Sequence, residues 1–361
     1  MKKIQPVRGT HDLIWDSFNK KVFIEKVASD LISLYGYDEI ETPILEYIEV
    51  FKDSLGITSD IVSKEMFTLT TSKGNHIALR PEGTAGVARA FVSNGLSQYL
   101  PLKLFYKGPM FRRERPQKGR LRQFHQIGIE FLGDNSFFSD IEVISLANKL
   151  LLKLGLEGKF NLQINSLGDA ESRQGYIKDL TKFLNDKRKD LSSDSLVRLE
   201  KNPLRILDSK DKNDIKILST APVFSAYLNL TSKEFYNNIK SGLDDLGIKY
   251  IENPRLVRGL DYYCHTAFEF VTKEIGSQGT VLAGGRYDGL IQRMGGTATS
   301  GVGWAAGVER LSMLIKPNGV QNKIISLISS SDELISKALI FAEELRSNGI
   351  IVDIIFSGNI K

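Results

Sequence analysis

KGPMFRRERPQKGRLRQFHQIGIEF, residues 107–131, decides how this chain is read. It opens as a strand, passes into a charged loop closed by Gly119, and returns as a second strand. Between positions 107 and 122 seven residues are Lys or Arg and only Glu114 is acidic, the densest positive field in the sequence. Such a loop suits phosphate. The returning strand carries more information, because side chains alternate between faces. Ile127, Ile129 and Phe131 form a core-facing set, which leaves Arg122, Phe124, Gln126, Gly128 and Glu130 on the other face. A carboxylate on a central strand is costly to bury unless it is paired or holds a cationic or N–H-bearing ligand. The Gln126/Glu130 face is therefore expected to line a polar pocket; the plainer alternative is a solvated hairpin with a basic tip.

Composition sets the outer bounds. The chain has 361 residues, 42% hydrophobic and 25% charged, with a formal net charge of +5. That is an ordinary soluble composition with room for two or three domains. So mild a charge permits an RNA partner without requiring one. Cys264 is the single cysteine, which excludes an internal disulfide framework and a Cys-based zinc cluster, and the four histidines (His11, His76, His125, His265) have no metal-ligand spacing. A cytoplasmic, reducing setting is expected. No apolar run approaches membrane-spanning length, so no membrane contact is expected.

Along the chain, apolar spacing predicts a helix over 18–35, stopped by Gly36, and then an extended segment to Pro43 suited to an edge or an interface. Residues 66–80 read as a hairpin. Pro81-Glu82-Gly83-Thr84 ends it and opens a helix, where Glu82 and Thr84 could simply be caps. A helix over 140–154 and the strand FNLQINSLG come next. From about 170 to 255 the texture turns charged and helical without a catalytic constellation, which predicts an inserted helical domain. Strand character returns in LVRGLDYYCHTAFEFV, from Leu256, and in TVLAGGRYDGLI after a turn at 276–279. GVGWAAGVERL, 301–311, reads as a strand running into a helix that carries Glu309 and Arg310. Beyond a linker at 316–319 lies a βαβ unit, with Ser330 and Glu333 at capping-box spacing and Gly349 ending its helix. One such unit cannot cover both faces of its own sheet, so the chain is expected to stop inside a domain. The expectation is an α+β fold: a main domain over 1–320 with an insertion at 170–255, and a partial α/β domain over 321–361.

With no GxxxxGK[ST] loop, a nucleotide must be held by arginines and metal. Arg112, Arg258 and Arg310 each sit in a stretch that otherwise reads as core, and a buried arginine needs an anionic partner. With Glu82, Gln126 and Glu130 also facing inward, they describe a pocket that clamps an anion at one end and reads a polar group at the other.

These stretches resemble histidyl-tRNA synthetase, a class II aminoacyl-tRNA synthetase. The helix-to-Pro43 segment is similar to the family's first, dimer-forming motif, FRRERPQKGRLRQFHQIGIE to its second and GVGWAAGVERL to its third. LVRGLDYY and AGGRYDGL resemble the two signatures of the histidine enzymes. The resemblance implies an antiparallel sheet flanked by helices, a homodimer, and two steps: L-histidine and ATP give histidyl-adenylate and pyrophosphate, then the histidyl group moves to tRNA-His. It implies that Glu82, Thr84 and Gln126 hold the α-amino group and that Glu130 and Tyr263, with Tyr262 beside them, read the imidazole. Arg112 would take the α-phosphate, Phe124 and Arg310 would sandwich adenine, and Arg258 would bridge carboxylate and α-phosphate, making Arg258 and Arg112 the catalytic pair. Mg2+ would accompany ATP, with no zinc. The tip, Arg115, Gln117, Lys118 and Arg120, would meet the tRNA acceptor end, with Gln117 reading an extra 5′ guanosine, and the insertion would lie over the acceptor arm. The family's C-terminal α/β domain, which reads the anticodon, is longer than the segment after Gly319 in this chain, so the 321–361 unit resembles part of an anticodon-binding domain. Two rival classes remain: a catalytically silent relative such as the histidine-biosynthesis regulator, and a general RNA-binding protein.

Overall fold

The computed structural model describes residues 3–56, 59–260, 262–276, 279–316, 324–329 and 331–356. The chain divides into two compact units, 1–315 and 316–361. In chain order the first comprises α1 (Trp15–Ser33), β1 (Asp38–Glu39), β2 (Leu45–Tyr47), α2 (Ile48–Leu55), β3 (Thr68–Thr70), β4 (His76–Leu79), α3 (Thr84–Ser93), β5 (Leu102–Phe111), β6 (Gln123–Leu132), α4 (Phe137–Lys153) and β7 (Asn161–Ser166). It continues with α5 (Ala170–Asp186), α6 (Ser193–Lys201), α7 (Lys212–Leu218), α8 (Leu230–Asp245), β8 (Tyr250–Glu252), β9 (Cys264–Val271), β10 (Thr280–Arg286), α9 (Leu290–Arg293), β11 (Gly301–Gly307) and α10 (Val308–Leu314).

Among the described residues, eight strands form one sheet in the order β1-β5-β6-β11-β10-β9-β7-β8. Its interior pairs are antiparallel; only the edges β1/β5 and β7/β8 are parallel. Period-two alternation makes one face apolar: Ile127 and Ile129 on β6, Trp304 and Ala306 on β11, and Phe268 and Phe270 on β9 are all buried. Helices α1, α4, α8 and α10 cover that face. The Trp304 indole N–H donates to the Val143 carbonyl of α4 at 3.1 Å, which ties helix layer to sheet. On the opposite face α2, α3 and α9 pack their apolar residues against only part of the sheet. The remainder is the floor of the site.

The insertion has a core of its own, built from Tyr176, Leu180, Leu184, Leu199, Ile206 and Phe224. Helix α8 belongs elsewhere, since Tyr236, Ile239 and Leu243 are buried in the main core beside α4.

Residues 256–260, 262 and 263, expected as strand, are instead a loop; the strand begins only at Cys264. The stretch looks strand-like because its apolar residues are wholly or partly buried: Leu256, Tyr262 and Tyr263 are buried, and Val257 packs between the apolar cluster of α2, α3 and α9 and the insertion core. Asp261 lies outside the described residues, as do positions 277–278 of the expected turn, positions 317–319 of the expected linker, and Ser330 of the expected capping box.

The second unit pairs β12 (Ile324–Ile328) and β13 (Ile351–Ile355) in parallel, connected through α11 (Ile335–Ser347). Gly349, at φ +77°, takes the left-handed turn that ends α11. Its small core is Ala342, Val352 and Ile354.

Candidate active site

Strand register builds the floor. One row across the sheet runs Leu104, Glu130, Gly303, Gly285, Ala267; the next runs Tyr106, Gly128, Ala305, Ala283, Glu269, Gln163. Small residues dominate the middle because larger side chains from the flanks need the space. A Cβ on Gly303 would overlap the Glu130 carboxylate and the Ile129 carbonyl, and one on Gly128 would overlap the Tyr106 ring and hydroxyl. Above this floor lies a cavity of about 860 Å³, within the range of small-molecule sites.

One end of the cavity is acidic. Glu82 accepts the backbone N–H groups of Thr84 at 2.8 Å and Ala85 at 2.7 Å. It caps α3 and also lines the cavity. Thr84 Oγ1 donates to Glu130 Oε1 at 2.6 Å, and the Tyr287 hydroxyl donates to Glu130 Oε2. Glu130 is only 1% exposed and lies beneath the cavity lining rather than in it. Burial pushes its carboxyl up to about 8; the bonds from Thr84 and Tyr287 oppose the shift, and neighbouring Glu82 adds to it. Burial raises Glu82 as well, against the pull of its two helix N–H groups and Arg112. Tyr262 stacks beside Tyr263 with ring centroids 4.5 Å apart and meets Tyr287 edge-on at 5.6 Å. Gln126 Oε1 is buried with no hydrogen-bond partner among the described residues.

The other end is cationic. Arg112 is half-buried; its Nε donates to the Pro81 carbonyl at 2.9 Å, and its guanidinium lies 5.2 Å from the Phe124 ring centroid. Arg310 donates to the carbonyls of Gly119, 3.0 Å, and Thr280, 2.7 Å. Its pKa is lowered by burial and then by the neighbouring charges of Arg120 and Arg112, the condition of a cation cluster that an anion would stabilise. Between the ends, Arg258 pairs with Glu269, which also accepts from Thr280 Oγ1 at 2.9 Å. Burial works most strongly against the Arg258 charge, but Glu269 together with Tyr263 and Tyr262 more than offsets it and the pKa rises. Arg258 Nε finds no partner among the described residues.

The structure thus brings Glu82, Thr84, Gln126, Tyr262 and Tyr263 around the same cavity as Arg112, Phe124, Arg258 and Arg310. In the tip, Gln117 and Arg120 exchange backbone hydrogen bonds around Gly119, at φ +75°. Arg120 reaches the cavity and pairs with Glu114 at 2.9 Å, whereas Arg115, Gln117 and Lys118 stay outside the lining.

Two residues of AGGRYDGL escape a reading that attends to its glycines. Tyr287 is the second donor to Glu130. Arg286 is a structural cation, 1% exposed, paired with Asp140 and donating to Ser139 Oγ at 2.8 Å. Glu309, seen in sequence only as helical, accepts both the His125 backbone N–H, at 2.9 Å, and a 2.8 Å contact from the His125 ring. No group of three or more His, Cys, Asp and Glu side chains among the described residues could cage a metal ion, and no helix among them is long and apolar enough to cross a membrane.

The histidyl-tRNA synthetase family profile matches residues 9–311. The chain is 52% identical to the histidine–tRNA ligase of Rhodospirillum rubrum and 50% identical to that of Gluconobacter oxydans, in each case over 100% of this chain and 87% of the relative. Among solved structures, apo histidyl-tRNA synthetase of S. aureus superposes with a TM-score of 0.81 at 34% identity, covering 99% of this chain and 86% of that one. A Bacillus halodurans protein described as an ATP phosphoribosyltransferase regulatory subunit/histidyl-tRNA synthetase gives 0.73 at 25% identity, over 100% and 95%. With the fold, the profile over most of its length and half its residues shared with such ligases, the chain belongs to the histidyl-tRNA synthetase family.

Proposed function

We propose that this chain activates L-histidine with ATP, releasing pyrophosphate, and then passes the histidyl group to tRNA-His. The observation that carries the reading is one cavity lined by Glu82, Tyr262 and Tyr263, with buried Glu130 beneath them, and also by Arg112, Arg258 and Arg310, where burial and neighbouring arginines depress the pKa of Arg310. Histidine offers an ammonium and an imidazole to the first set and, with ATP, anions to the second. In activation a carboxylate oxygen of histidine attacks the α-phosphorus and the bond to pyrophosphate breaks. The nucleophile is already an anion, so no base is needed; bringing two anions together is the difficulty. Arg258, whose Nε has no partner among the described residues, and Arg112 are suited to that task.

Glu82, Thr84 and Gln126 hold the α-ammonium in this reading. Glu130, set by Thr84 and Tyr287, reads the imidazole together with Tyr263 and Tyr262. A site built to hydrogen-bond the ring leaves its own polar groups unpaired with an apolar rival, which discriminates by roughly 10⁴ or more. Phe124 and Arg310 sandwich the adenine. Mg2+ enters as part of the ATP substrate, satisfied mainly by phosphate oxygens and water. In transfer, a terminal ribose hydroxyl of the tRNA attacks the activated carbonyl and AMP leaves, with Arg115, Gln117, Lys118 and Arg120 placing the acceptor end.

A homodimer fits the apolar side chains that α1 leaves exposed, Trp15, Phe18 and Val22. A reducing cytoplasm fits the single unpaired Cys264.

The test is histidine-dependent exchange of labelled pyrophosphate into ATP. Exchange with histidine and not with other amino acids supports the ligase. A folded protein that binds histidine without exchange supports the regulator reading instead.

A further inference from the structure

The loop that carries Arg258 is held largely by side chains. Asn165 Nδ2 of β7 donates to the Leu256 carbonyl at 2.9 Å. The other two holds come from the helical insertion: Arg205 Nη2 donates to the Gly259 carbonyl at 2.6 Å, and Arg173 Nη1 of α5 donates to the Tyr263 carbonyl at 2.9 Å. These bonds hold the cavity-lining loop at Leu256, Gly259 and Tyr263, and one of them fixes the residue directly after Arg258. Val257, directly before it, packs against the insertion core and against the apolar cluster of α2, α3 and α9. Arg205 also lies 4.0 Å from Asp60, in the segment after α2, and Arg198 lies 3.7 Å from the same carboxylate.

We propose that Arg205 and Arg173 are positioning residues for Arg258, so that the helical insertion takes part in histidine activation before any RNA is bound. The proposal rests on the role given to Arg258 above. A guanidinium that must pair with Glu269 and still reach two reacting anions has little positional tolerance. Its own side chain does not anchor the main chain beneath it, and a loop with few backbone partners would let it wander. A displacement of about 1 Å at a reacting group costs on the order of a hundredfold in rate. Arginine suits the task because its planar fork donates to the Gly259 carbonyl in a fixed direction, which a freely rotating lysine ammonium does not.

The experiment combines single-turnover adenylate formation with amide hydrogen exchange of residues 256–263 in the full chain. Arg205→Ala is expected to slow adenylate formation by about tenfold or more and to speed amide exchange in the loop, while the histidine KM moves less than about threefold. Arg205→Lys should recover part of the rate. Asp60→Asn should stay within about twofold, since its contacts to Arg205 and Arg198 are long, the carboxylate is half-exposed and the Gly259 hold is kept. In an Arg258→Ala background, Arg205→Ala should add little, the non-additivity of residues that act through one another. Loop exchange and rate both unchanged in Arg205→Ala, beside a slow Arg258→Ala, would overturn the positioning role alone. An equal loss in both backgrounds would overturn it too, by showing that Arg205 acts through overall stability. A full rate in Arg258→Ala itself would remove the catalytic assignment on which the proposal stands.

Discussion

Replacing Glu130 by Gln tests whether the carboxyl beneath the cavity is a proton-holding group. Its ordinary value of 4.5 is raised to about 8 by burial. Below 4.5 the carboxyl is protonated in folded and unfolded chains alike, and its contribution to stability is fully present. Between 4.5 and about 8 the folded chain keeps a proton that the unfolded chain has released, so stability falls as pH rises. Above 8 both forms are ionised and the loss is complete. At about 1.4 kcal/mol per pH unit, the window corresponds to roughly 5 kcal/mol. Glutamine cannot ionise, yet its Oε1 can still accept from Thr84, and the Tyr287 hydroxyl can turn to accept from its Nε2. Glu130→Gln should therefore match the native chain within about 1 kcal/mol near pH 5 and exceed it by several kcal/mol near pH 8. Urea unfolding from pH 5 to 8.5, followed by the fluorescence of buried Trp304, reads this directly. Titrating groups remote from Glu130 behave alike in both proteins and cancel in the difference; Glu82, coupled to Glu130, is the neighbour that does not. Parallel stability curves, or a variant less stable at pH 8, would sink the reasoning. Histidine binding should weaken in the same variant.

The other predictions concern separate parts of the site. Gly303→Ala should abolish histidine-dependent exchange and lower the melting temperature, because the added carbon overlaps Glu130 and the Ile129 carbonyl; a normal histidine Kd would show that the floor yields. Asp140→Asn leaves Arg286 without its buried charge partner and should cost about 3–5 kcal/mol in unfolding experiments, a cost absent if Ser139 and the loop carbonyls suffice. Arg258→Ala should slow pyrophosphate exchange by about a hundredfold or more while histidine affinity, by calorimetry, moves little; comparable losses in both would make Arg258 structural. Gln117→Ala should leave exchange intact and slow transfer to tRNA, as a residue outside the cavity lining would; equal damage to both steps would reject it as a reader of the acceptor end.

Period and charge are what the sequence makes legible. Ile127, Ile129 and Phe131 face the core as alternation demands, and the strand-to-helix junction at Gly307 and Val308 falls where GVGWAAGVERL suggests. The loop at 256–260, 262 and 263 reads as strand because an apolar pattern reports burial, not backbone pairing: Leu256, Tyr262 and Tyr263 are buried, and Val257 packs between two apolar clusters. Arg286 and Tyr287 escape sequence reading for a related reason. Adjacent residues of a strand end face opposite ways, one toward Asp140 and one toward Glu130, and both partners lie about 150 residues away along the chain. Composition of the local window carries no trace of such pairs. Nor can it show that Glu82 serves both the helix and the cavity.

The electrostatics of the cavity say what kind of ligand it accepts. At one end burial raises Glu82 and Glu130, so each carboxylate is held in surroundings that a cation or N–H donor would relieve. At the other end Arg310 is lowered by burial and by Arg120 and Arg112, a crowding that an anion would relieve. A ligand of one sign improves one end only. A ligand that is cationic at one pole and anionic at the other improves both, and each gain grows as water is excluded. Histidine together with ATP has that polarity, and so does the adenylate formed from them. In the adenylate the two poles are joined by a covalent bond, so neither can leave without the other. That coupling favours retention of the intermediate until the ribose hydroxyl arrives, and it predicts an off-rate for the adenylate far below that of either substrate.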